Sequence, residues 1–227
     1  MDTFVFDFYN TLVDIRTDEG RESTWLPVAD FFAAHGMKNV APMQLKELYD
    51  KYWKLFYERA VAERIFTNPE CDAVSVFESM ARALGGRLSR ADATAALKIM
   101  RTASIDWLRV FPGTFELLNT LKSAGAKIFI LSNAQSVFTA DEIKNNGLWD
   151  IFDGIIMSSD VGVAKPDPAF FEMLFDKYGL HKASAVMIGD DSYSDGRGAA
   201  SFGIPYVFAG GGGAAGHADE VLGYLKK

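Results

Sequence analysis

The sequence predicts an α/β protein, a parallel sheet with a second, all-helical domain inserted into it. Three observations predict this: short apolar runs alternate with helical patterns, one long block is helical throughout, and the chemically useful polar residues gather where apolar runs end. The first run, Thr3–Phe8, delivers Asp7 near its end and breaks into Tyr9-Asn10-Thr11. Four more follow at Ala126–Leu131, Gly154–Met157, Ala185–Ile188 and Ile204–Phe208. Each is rich in Ile, Val and Phe and bounded by turn residues, as strands buried on both faces are. Helical patterns lie at Thr114–Ala124, Val137–Asn145 and Pro168–Tyr178, with another after Asp195. Strands alternating with helices of this length specify a parallel sheet.

The block from about Arg16 to Arg109 reads as helix without a strand. Leu45, Leu48, Tyr49, Tyr52, Trp53 and Phe56 recur at helical spacing and form one apolar face, expected to pack within the block. Asp72–Leu84 reads as a second helix, and Ser89-Arg90-Ala91-Asp92 as the cap that starts another. A βα connection normally takes a few residues. The expected division is therefore an α/β core from residues 1–15 and 110–227, with residues 16–109 as a helical cap. Gly210–Gly213 lacks the Lys-Ser/Thr ending of a phosphate-cradling loop, and a flexible connection to a final helix near Asp219–Leu225 is expected.

At 227 residues, 49% hydrophobic and 23% charged, the chain has an ordinary globular composition and enough length for a core with a sub-domain. A net charge of -7 argues against non-specific nucleic-acid binding and against anionic membrane surfaces. Cys71 is the single cysteine, which excludes an internal disulfide and a thiolate zinc cage; His35, His181 and His217 are scattered. No apolar run approaches the roughly 18 residues needed to span a bilayer, and no signal-like stretch opens the chain. The expectation is a cytoplasmic protein acting on a small molecule. Nothing in the sequence specifies an oligomeric state.

A carboxylate at the carboxyl end of a buried strand stands where open α/β sheets bind ligands, and Asp7 is placed there as a nucleophile. The other strand ends add Ser132 and Asn133, Lys165 in GVAKPDP, and Asp190 and Asp191 with Asp195 one helical turn on. Carboxylates, one ammonium and a Ser/Asn pair on one sheet edge suit Mg²⁺ and phosphoryl oxygens: the acids take the hard cation, Lys165 balances charge and Ser132 donates.

These residues resemble the haloacid dehalogenase superfamily, and the likeness covers the whole chain. Its first motif, D-x-D-x-T, is matched by Asp7-Phe8-Tyr9-Asn10-Thr11. Ser132 matches the second, Lys165-Pro166-Asp167 the third, and Gly189-Asp190-Asp191 with Asp195 the fourth. The resemblance implies a Rossmann-like core with a helical cap inserted after the first motif. It implies Asp7 as a nucleophile forming an aspartyl ester, Lys165 orienting it, and Ser132, Thr11 and Asn133 at the transferred group. It also implies Mg²⁺ held by Asp7, Asp190, Asp191 and the Tyr9 carbonyl, with Asp195 in support.

Tyr9 stands where phosphatases of that family have their second Asp, the general acid and base. Such proton transfer contributes about 10²–10⁴-fold, and a tyrosine, with an ordinary pKa near 10, is a poor base at neutral pH. A phosphatase built this way is expected to be slow on poor leaving groups. Tyr at this position is similar to the 2-haloacid dehalogenase branch, D-x-Y-G-T, in which Asp attacks carbon and halide leaves unprotonated. That branch has Gly where Asn10 stands, Tyr where Phe171 stands, and Ser and Asn where Asp190 and Asp191 stand; for its halide-binding Arg only Arg16 and Arg21 are near. The combination reads as a Mg²⁺-dependent phosphohydrolase on a small phosphorylated metabolite, with Asp7, Tyr9 and Lys165 as its catalytic residues. A dehalogenase-like hydrolase is the alternative, and a catalytically reduced binding member of the fold the third reading.

Overall fold

Each of the five apolar runs supplies a strand to one parallel sheet in the computed structural model, which describes residues 1–226. The first half of the chain runs β1 (Thr3–Phe6), β2 (Val13–Thr17), α1 (Glu22–Ala34), α2 (Pro42–Glu63), α3 (Ala73–Ala83), α4 (Arg90–Ser104) and β3 (Ile105–Val110). Next come α5 (Thr114–Ser123), β4 (Lys127–Ser132), α6 (Ser136–Asn145), β5 (Gly154–Met157), α7 (Ser158–Val161) and α8 (Pro168–Tyr178). The chain continues through β6 (Ala185–Gly189), a wide turn at Ser192–Arg197, α9 (Gly198–Phe202), β7 (Tyr206–Phe208), α10 (Gly213–Gly216) and α11 (Ala218–Gly223).

The strand order is β5-β4-β1-β6-β7, with Phe6 of β1 opposite Ile130 on one side and Ile188 on the other. From β1 the chain moves outward through β4 and β5, then returns to lay β6 and β7 on the opposite side. The order therefore reverses between β1 and β6. At such a switch point the loops at the carboxyl ends diverge and leave a crevice for ligands. Asp7 follows β1 and Asp190 follows β6, so the two acids flank that crevice.

Side-chain alternation along β1 explains its wholly apolar sequence. Phe4 and Phe6 pack among Leu117, Leu118 and Leu121 of α5 and Ile143 of α6, while Val5 points into Phe170, Phe171 and Leu174 of α8. Both faces are covered by helices, and each fully buried Phe contributes about 1.5–3 kcal/mol. The helix ends follow local chemistry. Asp167 caps α8, Pro168 occupies its first turn and Gly179 ends it in the left-handed region. Ser89 and Asp92 form a reciprocal capping box at the start of α4.

By its contacts the chain divides into two units, one of Met1–Ile15, Phe66–Asn68 and Leu108–Lys227, the other of Arg16–Ile65 and Pro69–Trp107. In the second unit α1, α3 and α4 bury Trp25, Val28, Phe32, Phe77, Met80, Leu97 and Met100. Along α2 only Leu45 is fully buried; Tyr49, Tyr52, Trp53 and Phe56 are half-buried, and the Tyr49 ring lies 5.5 Å from Trp25 and 5.9 Å from Phe77.

Two local expectations are corrected. The block from Arg16 to Arg109 is not free of strands, because β2 and β3 pair as a two-stranded sheet at its ends. Their sequences, VDIRT and IDWLRV, interleave polar with apolar residues and are largely exposed, so no continuous apolar run announces them. Gly210–Gly213 is a packed turn rather than a plain connection. Gly213 has φ +67°, a Cβ there would strike Phe111 and the Thr11 carbonyl, and Ala214 N–H donates to that carbonyl at 2.8 Å. Among the described residues no helix is long and apolar enough to cross a membrane.

Candidate active site

Strand β1 carries Asp7 out of the sheet with its N–H still bonded to the Ile188 carbonyl at 2.9 Å, which fixes the backbone beside β6. The chain then turns sharply: Asn10 takes a left-handed φ of +55°, and Asn10 N–H reaches the Val13 carbonyl at 2.7 Å. Asn tolerates that conformation better than most residues, so Asn10 fits where the dehalogenase pattern has Gly.

Lys165 is buried, and its Nζ donates to Asp7 Oδ1 at 2.8 Å and lies 2.6 Å from Asp195 Oδ1. In the second contact the ammonium is, among the described residues, the only group that compensates the buried Asp195 Oδ1. Burial pushes the Lys165 ammonium toward neutrality, but the Asp195 and Asp7 carboxylates outweigh it and the net shift is upward. Lys165 therefore stays a cation inside the protein.

Oxygens of Asp7, Asp190 and Asp195 all lie within 4.8 Å of one another. Burial, and then the charge of Asp7, raise the Asp190 carboxyl above its ordinary range. Burial also pushes Asp195 up to about 6, with Lys165 pulling the other way. Three carboxylates thus face one ammonium, an excess of negative charge. Hard oxygen donors in this arrangement fit a small divalent cation.

The sequence-predicted residues divide by what their side chains touch. Asp195, expected only in support, occupies the third corner of the acid cluster; Asp191, expected as a ligand, turns away. Asp191 Oδ1 accepts from the N–H groups of Tyr193 at 2.7 Å and Ser194 at 3.3 Å, and these bonds outweigh burial and hold its carboxyl below the usual range. Its own N–H donates to Asp195 Oδ2 at 3.1 Å and so helps to orient the Asp195 carboxylate. A Cβ at Gly189 would collide with the Asp195 carboxylate, which explains the glycine before the acid pair.

Thr11, expected at the transferred group, is fully buried and donates to Asp190 Oδ1 at 3.2 Å. Both ends of the Asn133 side chain engage the Lys165 backbone: Oδ1 accepts its N–H at 2.8 Å and Nδ2 donates to its carbonyl at 2.9 Å. Ser132 closes β4 at the same sheet edge and is buried.

Tyr9 faces helix α6. Its hydroxyl donates to Glu142 Oε2 at 2.6 Å and lies 2.8 Å from Thr139 Oγ1, which is then left to donate in return. Its ring packs 4.8 Å from Phe8. Glu142 and Thr139 carry no motif signal; only the three-residue spacing that puts them on one face of α6 relates them.

The model of haloacid dehalogenase-like hydrolases matches residues 1–203. The pyrimidine 5'-nucleotidase YjjG of Escherichia coli is 34% identical over 123 residues, and the chain spans about half of that protein's length, 51%, and 52% of its own. A phosphoglycolate phosphatase of Vibrio vulnificus is 24% identical over 215 residues, covering 89% of this chain and 83% of that protein. In structure, a 2-haloacid dehalogenase from Pseudomonas syringae pv. Tomato superposes with a TM-score of 0.62 at 20% identity, over 92% of this chain and 86% of that one, a likeness of fold. With the family model spanning all four motifs around the Asp7–Lys165–Asp195 cluster, the chain belongs to the haloacid dehalogenase-like hydrolases.

Proposed function

We propose that the protein is a divalent-cation-dependent phosphohydrolase acting on a small phosphorylated metabolite, with Asp7 as nucleophile. The observation that carries this reading is the cluster of Asp7, Asp190 and Asp195 within 4.8 Å, an excess of carboxylate that suits metal and phosphoryl chemistry. The named phosphatase and nucleotidase relatives support the substrate class.

In this reading the Asp7 carboxylate attacks phosphorus, and the bond from phosphorus to the leaving oxygen breaks with its electron pair going to that oxygen. Water then attacks the aspartyl phosphate, releasing inorganic phosphate and restoring Asp7. Lys165 holds Asp7 in line and offsets charge on the phosphoryl oxygens, with Ser132 as a neighbouring donor. Asp7, Asp190 and Asp195 would hold Mg²⁺, with the Tyr9 carbonyl as a further ligand, and the bound ion supplies charge neutralisation at the phosphoryl group. Thr11 and Asp191 orient Asp190 and Asp195, and Asn133 braces Lys165. Tyr9 takes no part in proton transfer, because its hydroxyl is committed to Glu142.

The test is turnover of 4-nitrophenyl phosphate with Mg²⁺ and after EDTA, beside halide release from 2-chloropropionate. EDTA-sensitive release of nitrophenol supports the phosphohydrolase. Halide release without phosphatase activity selects the dehalogenase reading that Tyr9 favours, and silence in both assays selects a binding protein.

A further inference from the structure

Phe66–Asn68 lie in the middle of the chain's helical block, yet they group with the α/β unit. They close around the loop that carries Lys165. After the lysine, Asp167 Oδ1 accepts the N–H of Ala169 at 3.0 Å to cap α8, while Oδ2 accepts from Thr67 N–H at 2.6 Å, Thr67 Oγ1 at 2.7 Å and Asn68 N–H at 3.3 Å. Before the lysine, Ala164 N–H donates to the Asn68 carbonyl at 2.9 Å. At the lysine itself, Asn68 Nδ2 donates to the Lys165 carbonyl at 2.7 Å, the oxygen that Asn133 Nδ2 also reaches at 2.9 Å.

Asp167 is buried, and three donors on one carboxylate oxygen are far more than a helix cap requires. These bonds outweigh burial and hold its carboxyl below the usual range, so it remains an anion able to bind all three. A lysine ammonium sits on a flexible four-carbon stem, so its place is defined only where the backbone beneath it is held. Both polar backbone atoms of Lys165 are held by side-chain amides, one of them from Asn68.

We propose that Thr67 and Asn68 are positioning residues for Lys165, forming a clasp that fixes its backbone and so keeps its ammonium on the Asp7 carboxylate. The size of the kinetic effect rests on the phosphohydrolase reading; the placement of the ammonium can be read without any substrate.

The experiment is acetylation of the folded protein with acetic anhydride, scored lysine by lysine by peptide mass spectrometry. Lys165, 2% exposed, resists labelling in the wild type. In Asn68→Ala its labelling rises about tenfold while the other lysines are unchanged, and kcat on 4-nitrophenyl phosphate falls about tenfold with KM nearly constant, the scale of one hydrogen bond. Thr67→Val, which deletes one donor to Asp167, moves both readouts the same way by less, and it decides the matter if Asn68→Ala does not fold. Asn68→Ala combined with Asn133→Ala loses more than the product of the single effects, because each amide covers for the other on one carbonyl. Lys165 as resistant in the folded variants as in the wild type overturns the clasp, as does uniform labelling of all lysines. If the wild type hydrolyses no phosphate ester, the functional reading fails while the labelling still decides the clasp.

Discussion

The two sides of the Asp7 carboxylate are built on opposite principles. Toward β6 and the Lys165 loop, buried charges meet directly: an ammonium between two carboxylates, a third carboxylate nearby, and backbone N–H groups and a threonine hydroxyl aiming them. Toward α6 lies Tyr9, whose hydroxyl is drawn into a neutral-to-carboxylate hydrogen bond with Glu142 and whose ring packs on Phe8. The first side gathers more carboxylate than its one ammonium balances; the second engages the Tyr9 hydroxyl with Glu142 and Thr139. In the proposed reaction the first side carries the chemistry and the second holds the loop.

The largest expected effect falls on the nucleophile. Asp7→Asn should reduce turnover by about 10⁴-fold or more, as loss of a covalent nucleophile does, and steady-state kinetics with 4-nitrophenyl phosphate would show it. Next comes the consequence of Tyr9. Without a proton donor, kcat/KM for alkyl phosphates should lie about 10²–10⁴-fold below that for aryl or acyl phosphates, and Tyr9→Asp should narrow the gap. Equal rates across leaving groups would show that an acid operates which the Tyr9 geometry does not reveal.

Asp190→Asn sharpens the charged side. The EDTA-treated variant should melt higher than the wild type, because a carboxyl raised by burial and by Asp7 has been neutralised, while stabilisation by Mg²⁺ disappears. Tyr9→Phe tests the other side. It removes the hydroxyl that donates to Glu142 and meets Thr139, costing about 1–3 kcal/mol in denaturant unfolding, with turnover within a few-fold of wild type. A large rate loss with little destabilisation would move Tyr9 into the chemistry. The smallest effect is on pH. Asp195 binds its proton more tightly folded, near 6, than unfolded, near 3.8, so the metal-free protein should lose stability as pH rises through about 6, and Mg²⁺ should flatten that slope.

The fold was legible because strands buried on both faces write themselves as apolar runs, and Phe4, Val5 and Phe6 face two different helical layers. Strands β2 and β3 were not, since half-exposed ribbons carry no such run. Within the site, residue types at strand ends were readable, whereas the direction of each carboxylate was not. Asp191 and Asp195 are one helical turn apart, and only the wide turn at Ser192–Arg197 decides that the first caps it and the second faces Lys165. Thr67 and Asn68 stand about 100 residues from the loop they hold, with no local pattern to announce the contact.

The most direct measurement traps Asp7 during turnover. The enzyme, mixed with 4-nitrophenyl phosphate and Mg²⁺ and quenched in acid, is reduced with borohydride, which converts an aspartyl phosphate to homoserine. The expected result is homoserine at position 7 with Mg²⁺ and unmodified Asp7 after EDTA. Asp7 left intact through repeated turnovers, or trapped by 2-chloropropionate and not by the phosphate ester, would contradict the proposed reaction.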